Sequence, residues 1–459
     1  MGKRVGGSGA AGIVSGECAR EVRPKKLATL VFFTFSHRFF IPNFFVFLIV
    51  TNCEQYPYVR EMMRYSLIFV CSIFTLNSYC QISIDHNFPG GNVKVVGIDL
   101  DTVFFAPDLR DTEGDWFYWY FRATSNQPQT WIFKATRPNV LTSMGASYSL
   151  DGGKSWQWIS REDHLDDDIF SFSFSEPDQS VRLSIAQPYT EVHLNNFLDN
   201  YKDDRSLKRE TFCESRSGRP VEVLYLSNFD RESDYKILFT ARHHACEMMA
   251  SYVMEGIVEA LLSDSPAMKK LLDRAEIMII PFVDKDGVEA GDQGKNRKPR
   301  DHNRDYSGQS LYAVPAKLRE DIPGWVENKP WMAIDLHNPW IRNKDNEQIF
   351  FVGKNPPALE KEQVKLAEIL ENTRRGHLNF NAQQNFLPFG EGWNNTNNYE
   401  QGAPFVAWAA AYFKKGLLVT TTIEFPYALN GEQVITRENS RLFGQDLIYA
   451  VDKYLLDHE

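Results

Sequence analysis

Two histidines, a cysteine and a glutamate fall within residues 243 to 247 of the stretch ARHHACEMMASY. His244 and Glu247 are three residues apart, a spacing that puts both on one face of a helical turn. Imidazole and carboxylate are both zinc donors. The motif His-x-x-Glu is short and common, and as a plain helix start its polar residues would simply meet solvent. Further donors decide between these readings, and the sequence offers them: the apolar run WMAIDL leads straight into His337, and VTTTIEF delivers Glu424. Two histidines and a glutamate leave a fourth position on a zinc ion for water. A separate carboxylate beside it can take that water's proton.

These residues need a scaffold that brings strand ends together. Beyond residue 215, apolar runs at 235–240, 275–283, 331–336, 347–353 and 416–425 alternate with helical stretches over 248–262, 358–372 and from about Ser440. That alternation implies an α/β domain over 215–459 with a mixed, buried central sheet flanked by helices. Ligands of such sheets lie beyond the carboxyl ends of the strands, which is where His244, Glu247, His337 and Glu424 fall. Residues 82–200 have a different grammar. Short β-branched and aromatic runs such as VKVVGIDL, DWFYWYFRAT and DIFSFSFS alternate with turn signals, among them Asp151-Gly152-Gly153. This implies a small antiparallel β-sandwich. The aromatic run 116–121 reads as its core, and the polar segment 195–215 as the crossing between the two domains.

The composition is that of a globular chain: 459 residues, 43% hydrophobic and 14% aromatic. Residues 81–459 carry 41 Lys/Arg against 56 Asp/Glu, a balance that excludes nucleic acid as the main partner. Of the six cysteines only Cys213 and Cys246 follow residue 80, so no disulfide framework is on offer. Residues 62–80, beginning MMRYSLIFVCSIF and closing Ser78-Tyr79-Cys80, have the grammar of a secretory signal peptide starting at Met62 or Met63. The expected product is secreted or periplasmic, with no stable membrane partner after signal removal. Residues 1–61 then read as a non-structural or mis-assigned extension.

The motifs ARHHACE, PFVDKDGVEAGDQGKNRKPRDHNRDYSG, AIDLHNPW and TTIEFPYA, in that order, resemble the zinc carboxypeptidase family, in the branch of the cytosolic carboxypeptidases and their bacterial relatives. The resemblance covers about 220 to 455 and extends to the preceding sandwich. It implies a zinc-dependent hydrolase of the C-terminal peptide bond, with Zn2+ held by His244, Glu247 and His337 and with Glu424 as general base to a zinc-activated water. It further implies that Asn303 and Arg304 hold a peptide's free C-terminal carboxylate, and that Asp301 orients a ligand histidine. Arg297, with Arg300 as competitor, matches the arginine that polarises the scissile carbonyl. Tyr399 matches a mobile tyrosine over the substrate, and His243 and His302 receive no role. Cys246, between two ligands, is expected to point inward as a small apolar residue. The apolar stretch GAPFVAWAAAYF, with Val406, points to an apolar or small terminal residue. An amidohydrolase acting on acylated amino acids or cell-wall peptides shares the zinc triad. An inactive binding protein on the same fold would have lost a ligand or the base, and this sequence has lost none.

Overall fold

Trp131 and Phe133 are fully buried while Lys134 beside them is exposed, the period of a strand with one face on a core. In the computed structural model, which describes residues 82–458, such strands build two five-stranded sheets. One has the order β1 (Ile82–Asp85), β4 (Tyr120–Ser125), β10 (Gln179–Ser184), β6 (Ser147–Ser149), β7 (Gln157–Trp158). The other runs β2 (Lys94–Asp99), β3 (Thr102–Ala106), β5 (Gln129–Ala135), β9 (Ile169–Phe174), β8 (His164–Asp166). All pairs are antiparallel except β3 with β5. Rings interdigitate between the sheets: Phe121 lies 5.7 Å from Phe105 and 5.9 Å from Phe133. The glycine pair after Asp151 turns the chain between β6 and β7, both glycines at positive φ.

The crossing is not a polar linker. It holds helix α1 (Glu191–Leu198) and strand β11 (Leu207–Glu214). β11 is the edge of the second layer, where Lys208, Arg209, Glu210 and Thr211 face solvent and only Phe212 is buried, so its polarity hid a strand. The remaining strands are β12 (Pro220–Leu226), β13 (Tyr235–Ala241), β14 (Ala275–Ile280), β15 (Trp331–His337), β16 (Phe350–Val352), β17 (Phe386–Leu387) and β18 (Leu417–Glu424), giving the order β11-β12-β14-β13-β15-β18-β16-β17. β14, β13, β15 and β18 are parallel, and β16 is antiparallel to β18.

Helices cover both faces of this mixed sheet. Ile237 and Phe239 share a core with α2 (Met248–Leu261), α3 (Pro266–Arg274), α6 (Pro357–Thr373) and α8 (Arg437–Leu456). Leu238 and Met278 face the other way, towards α5 (Ala313–Val326) and α7 (Phe405–Ala410). The short α4 (Lys285–Ala290) follows β14. Helix α5 was not foreseen, because Pro323 and the polar run around it blur its apolar period. The described residues fall within one compact unit, and among them no helix is long and apolar enough to cross a membrane. The signal-peptide and extension readings of 1–80 lie outside the described residues.

Candidate active site

β13 delivers the first donors, though not on a helix. His244 to Glu247 form a tight turn, Glu247 N–H donating to His244 O at 3.2 Å, and α2 begins only at Met248. The turn does what a helical face was expected to do: His244 Nδ1 lies 2.9 Å from Glu247 Oε1. A second loop clamps it from above. The peptide of Gly294, at φ +78, packs so closely that a Cβ there would sit 2.3 Å from Ala245 N, so no larger residue fits. Gln293 holds that loop to the sandwich: its side chain accepts from Tyr118 N–H and donates to Tyr118 O, both at 2.8 Å.

β15 and β18 supply the rest. His337 and Glu424 are register partners at the ends of adjacent parallel strands. His337 Nδ1 comes within 2.8 Å of Glu247 Oε2, yet Glu247 Oε2 makes no hydrogen bond. Two electron-pair donors so placed, in a buried site, suit a cation between them. One donor atom each of His244, Glu247 and His337 lie within 4.8 Å of one another. His243, Asp335 and His337 form a second such group, but both nitrogens of His243 are engaged, by Asp335 Oδ1 and Tyr306 OH at 2.8 Å each. Asp335 also meets His337 Nε2 at 2.6 Å, so it orients that ring, as outer partners of metal ligands do. Asp301 faces His244 Nε2 at 3.7 Å, beyond hydrogen-bond reach. Burial pushes Asp301 up, but the His244 imidazole prevails and holds it at about 2.

Glu424 is buried beside this triad, its Oε2 unpartnered. Burial pushes its pKa up, against the pull of His337 and Lys295. With His244, Glu247 and His337 it lines a cleft of about 480 Å³ that also holds Asn303, Arg304, Tyr399 and Val406. Asn303 Nδ2 lies 3.2 Å from His337 Nε2, and Arg304 reaches Asn398 Oδ1 at 2.6 Å. Cys246 is fully buried, next to Tyr427, and burial pushes its thiol up to about 12.

Neither Arg297 nor Arg300 reaches the cleft. Arg297 is held by Asp284 at 2.5 Å, Asp292 at 2.9 Å and Asp111 at 3.5 Å, and Arg300 by Asp305 at 2.5 Å. His302 turns away likewise, stacked on Tyr312. Lys295, two residues before Arg297, does line the cleft, its Nζ 2.8 Å from Glu247 Oε1 and 3.0 Å from Asn338 O. Two further residues escaped the sequence. Lys354, 4% exposed, donates to Asn394 Oδ1 at 2.7 Å and Tyr399 OH at 3.2 Å, with no carboxylate partner among the described residues. Burial, aided by Arg304, brings its pKa down to about 8. Trp116, from the sandwich, lines the cleft against Trp340, ring centroids 5.2 Å apart.

Residues 194–386 match the zinc carboxypeptidase family. That stretch, fewer than half of the 459 residues, is similar to a zinc carboxypeptidase domain. The family's metal is zinc, and the His244, Glu247 and His337 donor set suits it. The matched span contains these three residues and ends before Glu424. Mouse cytosolic carboxypeptidase 3 is 26% identical over 50% of this chain, and the match spans 26% of that protein. Cytosolic carboxypeptidase 6 of Caenorhabditis elegans is 27% identical over 57% of this chain and 63% of its own length. In fold, a metallo-carboxypeptidase of Burkholderia cenocepacia superposes with a TM-score of 0.67 at 19% identity, covering 83% of this chain and all of that one. A metallo-carboxypeptidase of Pseudomonas aeruginosa, in complex with (2-guanidinoethylmercapto)succinic acid, gives 0.63 at 20% identity, covering 82% and 99%.

Proposed function

We propose that this chain is a zinc metallocarboxypeptidase that releases the C-terminal residue of peptides, with a preference for an acidic one. The carrying observation is that one cleft holds the His244, Glu247 and His337 donors, the free carboxylate of Glu424 and the guanidinium of Arg304. Zinc at the three donors would lower the pKa of a bound water and polarise a carbonyl. Glu424 takes the proton of the attacking water and passes it to the leaving amine, a role for which a buried carboxylate of raised basicity is suited. The Lys295 ammonium faces the carbonyl oxygen as it gains charge, the role the sequence had offered to Arg297. Arg304 and Asn303 bind the terminal carboxylate, a guanidinium fork being shaped for it. Tyr399 closes over that end.

Lys354 supports the acidic preference and revises the apolar expectation drawn from Val406. A buried ammonium with only neutral partners is costly. A carboxylate on the substrate's last side chain would supply the counter-ion.

The test is a pair of blocked dipeptides, one with a free C-terminus and one amidated, given to the wild type and Arg304→Ala. A charge-assisted hydrogen bond contributes roughly 1.5 to 3 kcal/mol, so the substitution should lower kcat/KM on the free acid at least about tenfold. The amide should be cleaved poorly by both. Equal cleavage of acid and amide by the wild type would sink the exopeptidase reading.

A further inference from the structure

A second cavity, of about 560 Å³, opens where the sandwich meets α2 and α8. Its charged walls are Lys154, Arg182, Arg437 and Arg441 against Glu255 and Glu259. Both carboxylates belong to Arg441. Glu255 Oε2 meets its Nε at 2.8 Å and Nη2 at 2.7 Å, and Glu259 lies 3.6 Å from its Nε. The other oxygen of Glu255 accepts from Tyr189 OH.

Arg182 and Arg437 are left with no carboxylate among the described residues. Arg182 donates to Tyr120 OH and lies over the Phe88 ring, 4.5 Å from its centroid. Arg437 donates to Lys154 O at 2.7 Å and lies 5.2 Å from the Tyr252 centroid. Its Nε is buried and unpartnered. His193 Nδ1 accepts from Thr190 N–H at 3.1 Å, which places the ring's own proton on Nε2. The local field is positive: burial first, then Arg437 and Arg182, bring His193 down to about 4. This stands out in a chain of formal charge −10.

We propose that this cavity binds a small organic oxyanion, a carboxylate or phosphate monoester, clamped between Arg182 and Arg437 with His193 Nε2–H as a further donor. Guanidinium forks match such groups, and the Tyr120 and Tyr252 rings cover an apolar body. The clamp draws on a sandwich strand and on the first residue of α8, so an occupant ties the two layers together and raises stability by mass action.

The experiment uses zinc-loaded Arg304→Ala protein, whose catalytic cleft lacks its carboxylate fork, at ionic strength held constant with chloride. Succinate and inorganic phosphate are titrated separately and followed by calorimetry and by Tm. Succinate binding alone points to a carboxylate ligand, phosphate binding alone to a phosphate monoester. A saturable rise in Tm is expected at millimolar ligand, with Kd weakened at least about tenfold by Arg182→Gln. Arg437→Gln should do the same, but it also frees the Lys154 carbonyl, so Arg182→Gln is the decisive variant. Its folding is checked by its turnover in the otherwise wild-type chain. No saturable binding of either anion, or binding unchanged by Arg182→Gln, would overturn the proposal and leave both arginines as packing residues.

Discussion

The loop from Gly291 to Asp305 has two faces with opposite electrostatics. On one, Arg297 and Arg300 are enclosed by Asp284, Asp292, Asp111 and Asp305. On the other, Lys295, Asn303 and Arg304 open into the zinc cleft, beside the unpartnered Glu424 oxygen. On the first face each guanidinium has a carboxylate partner, as in any buried ion-pair cluster. The second is complete only with something added. Lys295 has Glu247 as its counter-ion, so what sets the cleft face apart is the buried Glu424 oxygen left without a partner, rather than charge as such.

The sharpest way to break that contrast is Glu424→Gln. It should keep the fold and the zinc while kcat falls by about 10² to 10⁴-fold, read by metal analysis and turnover together. A variant turning over at near the normal rate would remove Glu424 from the mechanism. Next come Lys295 and Arg297 of the loop, which should fail in different ways. Lys295→Ala should lower kcat by about 10² to 10³-fold, as loss of one oxyanion donor does, with little change in Tm. Arg297→Ala should leave kcat per zinc-loaded molecule nearly intact but destabilise the protein by about 3 to 5 kcal/mol in denaturant titration, because buried carboxylates lose their partner. The reverse pattern would restore Arg297 to the chemistry.

The smallest effect belongs to Lys354. Its pKa of about 8 means that the free enzyme holds the ammonium below that pH and loses it above. For a Glu-terminated substrate, kcat/KM should therefore decline as pH rises through about 8, by up to about tenfold. A Leu-terminated substrate should show no such step, and Lys354→Met should abolish it. A step common to both substrates would assign the ionisation elsewhere.

The sequence made legible what a parallel strand announces. His337 and Glu424 end apolar runs that are buried on both faces, and His244 and Glu247 follow a third, so the rule of strand ends located all four. It could not see which way a side chain leaves an irregular loop, so it expected Arg297 in the cleft, where Lys295, two residues earlier, stands instead. Lys354 also follows an apolar run, but β16 is antiparallel to β18, with Phe350 opposite Glu424, and a rule built on parallel strands passes over it. The aromatic run reads as core because most of it is: Phe117 to Phe121 are buried. Trp116, one residue earlier, faces the cleft, and no periodicity marks that exception.

The double hydrogen bond between Gln293 and the Tyr118 backbone bears on modularity. It fastens the loop that carries Lys295 to the segment just before β4, more than a hundred residues upstream, and the same stretch sends Trp116 into the cleft. A fusion or truncation that kept residues 215–459 alone would preserve every zinc donor. It would also discard one wall of the cleft and the anchor of the loop that carries Lys295. The heritable unit of the proposed activity is therefore the pair of layers, and a recombination point between them should be silent in the metal site and loud in catalysis.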